Sequence, residues 1–485
     1  MMNRSHLSLL CDFYELTMAN GYFQTGMAER ITYFDMFFRR VPDGGGYVIA
    51  AGLEQLVEYI QDLHFDEEDL AYLRGRGIFG EDFLSYLREF RFTGDLWAVP
   101  EGTPVFPREP ILTVRAPALQ AQLIETYLLL TINHQSLIAT KASRIVRAAE
   151  GRVVLEFGSR RAQGGDGAVI GARAAYIGGA HGTACTLSDA LYGVPAGGTM
   201  AHSWVQMFDS EYDAFRKYCQ IYPDSPTLLV DTYDTLRSGI PNAIRVFQEM
   251  GIQKCAIRLD SGDLAFLSRR ARTMLDQAGL TECRITVSNA LDEWLIRDLL
   301  LQGSCIDGFG VGEKLITASS EPVFGGVYKL AAVEVGGQIQ PKIKVSENPD
   351  KITNPHFKKV YRLYSKATGK AVADYIRVHD ETVDPSKPLE LFDPHATWKR
   401  KTVRDFRLRE LLAPVFQGGE LVYDLPRLEQ IRTYCLQEQE TLWDEVKRFE
   451  NPHRYYVDLS QKLWEIKQDL LHQAAEKAGD ENKKA

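Results

Sequence analysis

No paired-cysteine motif occurs in the chain, and no hydrophobic run is long enough to cross a membrane. The seven cysteines, Cys11, Cys185, Cys219, Cys255, Cys283, Cys305 and Cys435, are odd in number and scattered, with no C-x-x-C among them. That spacing gives no support to a thiolate zinc site and favours reduced thiols in a cytosolic protein. A span of about 20 apolar residues is absent. The opening Met-Met-Asn-Arg-Ser-His reaches Asp12, Tyr14 and Glu15 without the apolar core of a signal peptide. A cytoplasmic protein without membrane contact is the expectation. Excess positive charge is missing too: 56 Lys and Arg against 65 Asp and Glu leave a formal charge of −9. This argues against a nucleic-acid binder held by phosphate neutralisation, but leaves room for a local basic pocket that takes a small anion. Internal repeats and low-complexity segments are also lacking.

What remains is an average soluble composition, 45% hydrophobic and 25% charged, over a length too great for one small core. Residues 1–150 read as an α+β region. Helical spacing runs over 1–30, a β-prone aromatic run follows at 31–38, and a helix is expected over 51–63. Two short acidic helices fall within 66–92, β signals appear at 96–99 and 111–114, and a long helical stretch covers 118–149.

After Gly151 the grammar changes, and residues 151–345 form a second region. Short apolar runs alternate with helical segments at 239–250, 264–278 and 291–302. The runs are 153–157, 228–230, 256–259, 285–287 and 306–309. Such strand-plus-helix units predict a parallel sheet with crossover helices, an α/β arrangement. Each run is followed by polar or glycine residues. In a β/α barrel that rim carries the active site, and Arg160, Asp260, Asp263, Ser288, Gly310 and Gly312 would then converge on one mouth. The competing reading is that Asp, Ser and Asn after strands cap the next helices. It suits Ser288-Asn289 and Asp263, but not Arg160 or Arg258, because a cation at a helix start opposes the macrodipole. Residues 346–485 form a third, looser α+β region, with hairpin strands at 361–364 and 371–376 and mostly helix after 425.

Two small-residue loops carry a histidine: Gly178-Gly179-Ala180-His181-Gly182 and Gly197-Gly198-Thr199-Met200-Ala201-His202-Ser203-Trp204. An imidazole in such a loop is open to a ligand and titrates near neutral pH. Alternatively, it only bonds a neighbouring loop. A rim with two arginines, glycine loops and few acids suits a small anion. Backbone amides at Gly310-Val311-Gly312, and the helix start after Ser288, can hold a phosphate. Asp260 and Asp263 can bind ribose hydroxyls or Mg²⁺.

Six ordered motifs give the chain a resemblance over nearly its whole length. They are Asp12-Phe13-Tyr14-Glu15-Leu16-Thr17-Met18, Glu156-Phe157-Gly158-Ser159-Arg160-Arg161-Ala162-Gln163, Gly198-Thr199-Met200-Ala201-His202-Ser203, Arg258-Leu259-Asp260-Ser261-Gly262-Asp263, Val287-Ser288-Asn289 and Gly325-Gly326-Val327-Tyr328-Lys329-Leu330. With them the sequence resembles the nicotinate phosphoribosyltransferase family, type II phosphoribosyltransferases. The resemblance implies an irregular β/α barrel flanked by an α+β lobe built from the N- and C-terminal segments. It implies joining nicotinate to 5-phosphoribosyl 1-diphosphate, with ATP hydrolysis coupled through a phosphohistidine and Mg²⁺ present. His202 stands where that histidine belongs, and Asp260 and Arg258 are its catalytic companions. Nicotinate would meet Tyr14, Phe157, Arg160, Thr199 and Arg258. The phosphoribosyl diphosphate would meet Arg160, Asp260, Ser288, Asn289, Gly310, Gly312, Glu313 and Thr317. No protein metal ligand is assigned. A homodimer with shared active sites is implied, Tyr14 coming from the neighbouring subunit. One departure is Glu313, where the family pattern often has threonine. A carboxylate cannot donate to phosphate, so the backbone amides there are the expected donors. The alternatives are a nicotinamide-using enzyme of the same class, a quinolinate phosphoribosyltransferase, and a non-catalytic nucleotide-binding barrel.

Overall fold

The computed structural model describes residues 4–394 and 396–482. The chain divides into two compact units, residues 1–137 with 323–485, and residues 138–322. The sequence pattern changes instead at 150 and 345.

The first unit is built from both ends of the chain. Its seven-stranded sheet runs in the order Gln338–Pro341, Val327–Val335, Ile31–Phe37, Leu112–Pro117, Asp95–Ala98, Ala413–Gln417, Glu420–Leu421. All its ladders are antiparallel. The Ile31–Phe37 strand is buried at six of its seven positions, because neighbours flank both edges and both faces are covered. A four-stranded sheet follows: Phe406–Glu410, Lys358–Ser365, Ala371–Val378, Val457–Leu459. Beyond 425 lie helices Leu428–Thr441 and Gln461–Asn482, with the Val457–Leu459 strand between them.

The second unit carries a six-stranded parallel sheet. Its strands are Val153–Glu156, Gly182–Thr183, Thr227–Leu229, Ala256–Leu259, Arg284–Ser288 and Gly308–Val311. Each pairs with its neighbour in the chain, except across the step from Gly182–Thr183 to Thr227–Leu229. The last strand returns to pair with the first. That is the cyclic order of a barrel, with one side open where 184–226 supplies short helices in place of a ladder. Helices Ile240–Glu249, Leu264–Gln277 and Glu293–Leu301 cross over between strands, each burying an apolar stripe. Two expectations shift. The last strand is Gly308–Val311, two residues later than 306–309, so Gly310 lies within it. The stretch 118–149 breaks into Ala118–Leu123 and Glu125–Ala148.

Candidate active site

The parallel strands all end at one rim, so the residues just after them are neighbours although far apart in sequence. Phe157, Arg160, Thr199, Arg258, Asp260, Ser288, Asn289, Gly310, Gly312 and Glu313 line one cleft there, of ≈ 550 Å³. All ten are residues singled out from the sequence.

Arg258 is the hub. Its Nε donates to Ser288 Oγ at 2.9 Å, Nη1 to Thr199 Oγ1 at 3.2 Å and Nη2 to Asp260 Oδ1 at 2.9 Å. The guanidinium sits 5.6 Å from the centroid of the Phe157 ring, a cation–π distance. Ser288 Oγ also donates to Asp260 Oδ1. Asp260 N donates to Asp231 Oδ2 at 2.9 Å, and Ser261 Oγ to the same oxygen at 2.6 Å. Asp231 Oδ1 is buried without a hydrogen-bond partner.

His202 opens the short helix His202–Gln206. Its Nδ1 lies 3.1 Å from Thr232 Oγ1, its Nε2 lies 3.9 Å from Asp260 Oδ2, and the side chain is 40% exposed. The ring therefore lies beside Asp260 and is reachable from solvent, although His202 is not among the residues that line the cleft. His181 behaves differently: its Nδ1 accepts from Val154 N, in the strand Val153–Glu156, at 3.2 Å.

Close backbone approach explains the glycines. A Cβ on Gly310 would lie 2.5 Å from the Phe157 ring, and one on Gly158 2.6 Å from Ile316 and 2.7 Å from Glu156 Oε1. Glu156 itself is buried and accepts from Thr183 Oγ1 at 2.6 Å and from Gly158 N. Burial raises its carboxyl above the ordinary range, while those two bonds pull it down. Asn289 and Ala290 have φ of 116° and 41°, conformations that cost free energy and collect at working sites.

Helix capping accounts for one residue only. Asp263 accepts from Phe266 N at 2.9 Å, as a cap should. The helix after Ser288 starts at Glu293 and is capped by Asp292. Ser288 is therefore no cap, and no helix terminus follows it directly. Arg160 is exposed and has no partner among the described residues, whereas Arg161 Nε lies 3.9 Å from Glu313 Oε2.

Besides His202, two predicted residues are absent from the cleft lining. Thr317 gives its hydroxyl to Glu313 O at 2.6 Å and is not in the cleft lining. Tyr14 is on the helix Phe13–Gln24 of the first unit, 45% exposed. Asp231 and Thr232 went unassigned from the sequence, although they follow the apolar run 228–230 just as Asp260 follows its own strand. No group of three or more His, Cys, Asp or Glu suited to a metal occurs among the described residues, and all seven cysteines are free.

Comparison with known proteins adds independent grounds. Residues 9–133 match the nicotinate phosphoribosyltransferase (NAPRTase) N-terminal domain, and residues 357–467 the nicotinate phosphoribosyltransferase C-terminal domain. A nicotinate phosphoribosyltransferase of Bacillus subtilis (strain 168) is 45% identical, over 98% of this chain and 97% of that protein. One from Caenorhabditis elegans is 32% identical, over 96% and 94%. The crystal structure of human nicotinic acid phosphoribosyltransferase superposes with a TM-score of 0.84 at 30% identity, covering 95% of this chain and all of that one. With identity of this extent spanning barrel and lobe alike, the chain belongs to the nicotinate phosphoribosyltransferase family.

Proposed function

We propose that this enzyme transfers the phosphoribosyl group of 5-phosphoribosyl 1-diphosphate to nicotinate, releasing diphosphate and nicotinate mononucleotide. ATP hydrolysis is coupled to the transfer through phosphorylation of His202, and two chains form a dimer in which Tyr14 serves the partner's cleft. The carrying observation is Arg258, fixed by Ser288, Thr199 and Asp260 beside the Phe157 ring. A planar guanidinium next to an aromatic surface suits an aromatic carboxylate. Arginines 160, 161 and 258 outnumber the carboxylates of Asp260 and Glu313 in the cleft lining. That balance favours the acid over the neutral amide.

The transfer forms a bond from the pyridine nitrogen to ribose C1 while the bond from C1 to diphosphate breaks. Positive charge develops on the ribose, and the Asp260 carboxylate stabilises it and holds hydroxyls. Asp260, and Asp231 with its unpartnered Oδ1, are the carboxylates that could hold Mg²⁺. Mg²⁺, when bound, would neutralise charge on the departing diphosphate. A phosphoryl group on His202 adds about two negative charges at the cleft, as on a phosphorylated hydroxyl.

Radiolabelled ATP tests the coupling. Wild-type protein is expected to take up an acid-labile phosphate that His202→Ala does not. Equal labelling of the variant would remove His202 from this role. Competition between nicotinate and nicotinamide in one assay tests the base, and preference for nicotinamide would overturn the reading.

A further inference from the structure

The barrel contains a thiol pair that the proposed reaction does not use. Cys255 and Cys283 each directly precede a strand, Ala256–Leu259 and Arg284–Ser288. These strands are parallel, with Ala256 opposite Arg284, and Arg284 N donates to Cys255 O at 3.0 Å. The register therefore sets the two cysteines opposite each other. Adjacent strands lie about 4.7–4.9 Å apart. That falls inside the range of about 4.4–6.8 Å between Cα atoms that a disulfide bridges.

Both residues are buried, at 3% and 0% exposure. A hydrogen bond with Cys283 holds the Cys255 thiol below its ordinary range, against burial, with help from Arg272. The same bond, together with burial, holds Cys283 above it. The Arg272 guanidinium is pinned next to the pair by Cys283 O at 2.6 Å and Leu280 O at 2.7 Å. Cys219 is the nearby rival. Burial and Cys255 push its thiol up to about 12, so it stays protonated. Solvent comes close, because Arg272, Thr281, Arg284 and Cys305 border a depression of ≈ 600 Å³ at this end of the strands.

We propose that Cys255 and Cys283 form an oxidation site, at which a hydroperoxide closes a disulfide between two neighbouring barrel strands. The Cys255 thiolate attacks the peroxide oxygen. A sulfur–oxygen bond forms, the oxygen–oxygen bond breaks, and hydroxide or alkoxide leaves. The Cys283 sulfur then attacks the sulfenic sulfur. The sulfur–sulfur bond forms and the sulfur–oxygen bond breaks, with hydroxide leaving as water once it takes the Cys283 proton. The two sulfurs supply the two electrons that reduce the peroxide.

The test uses the reduced full-length protein treated with hydrogen peroxide, blocked with iodoacetamide, digested and mapped by mass spectrometry. The expected product is one peptide pair joined through residues 255 and 283, lost on treatment with dithiothreitol and absent from Cys255→Ser and Cys283→Ala. A link between 219 and 255 would overturn the proposal. So would oxidation confined to Cys11 and Cys305, or a 255–283 link that forms only in urea. Should either variant fail to fold, the wild-type map with its urea control decides by itself.

Discussion

At Arg258 all three guanidinium nitrogens are committed inside the cleft, to three different side chains. A lysine cannot reproduce that fork. Arg258→Lys is therefore expected to lose about 100-fold or more in kcat/KM for nicotinate, from one or two charge-assisted bonds of about 1.5–3 kcal/mol each. Steady-state kinetics with varied nicotinate measure it. Glu15 illustrates the opposite case, a charge that the fold resists. It is buried, one oxygen has no hydrogen-bond partner, and the other accepts from Thr126. Burial pushes its carboxyl up to about 7; the Thr126 bond opposes this, and Glu125 and Asp12 add to the rise. Between the ordinary glutamate value of about 4.3 and that raised value, the unfolded chain gives up a proton that the folded chain keeps. The stability Glu15 contributes is whole below the window and is lost as pH rises through it. Glu15→Gln should melt with the wild type at about pH 4 and above it at about pH 8, by roughly 2–4 °C for each kcal/mol gained. A variant that melts lower at both pH values would refute this.

The hairpin Lys358–Ser365 and Ala371–Val378 is stitched by a fully buried ion pair. Arg362 lies opposite Asp374 in the ladder and donates to both its oxygens, at 2.8 and 2.6 Å. Arg362 also reaches Pro104 O at 2.8 Å, and Glu109 close by is kept high by burial and by Asp374. Removing the cation alone strands two buried acids. Arg362→Met should cost about 3–5 kcal/mol, and Arg362→Met with Asp374→Leu should recover much of it. Urea titrations of both variants give the comparison. This hairpin was legible from its two strand-like runs at 361–364 and 371–376, as were the crossover helices of the barrel. Gly182–Thr183 was not, because two residues cannot carry a period. The strands Leu389–Asp393 and Ala396–Val403 were missed for another reason: the second exposes Lys399, Arg400 and Lys401, so no alternation marks it. In the cleft, Arg160 and Arg258 were legible as cations set where a helix start would reject them. Asp231 was not, because it lies outside the six motifs that marked Asp260.

Across the whole molecule, the cleft is built within residues 138–322, while Tyr14 belongs to the unit made from the two chain ends. The proposed dimer makes the two depend on each other, and this can be tested without placing one unit against the other. If Tyr14 acts in the partner's cleft, a Tyr14→Ala chain still offers an intact barrel, and an Arg258→Gln chain still offers an intact tyrosine. Each homodimer would then be defective. Random pairing makes half the dimers mixed, and each mixed dimer regains one of its two clefts, about a quarter of all clefts in the population. Co-expressing the two variants should therefore return about a quarter of wild-type turnover, against the low rates of either variant alone. If Tyr14 instead serves the cleft of its own chain, every cleft in the mixture lacks either the tyrosine or the arginine. Turnover would then stay at the level of the separate variants, and the shared-site dimer would have to be abandoned.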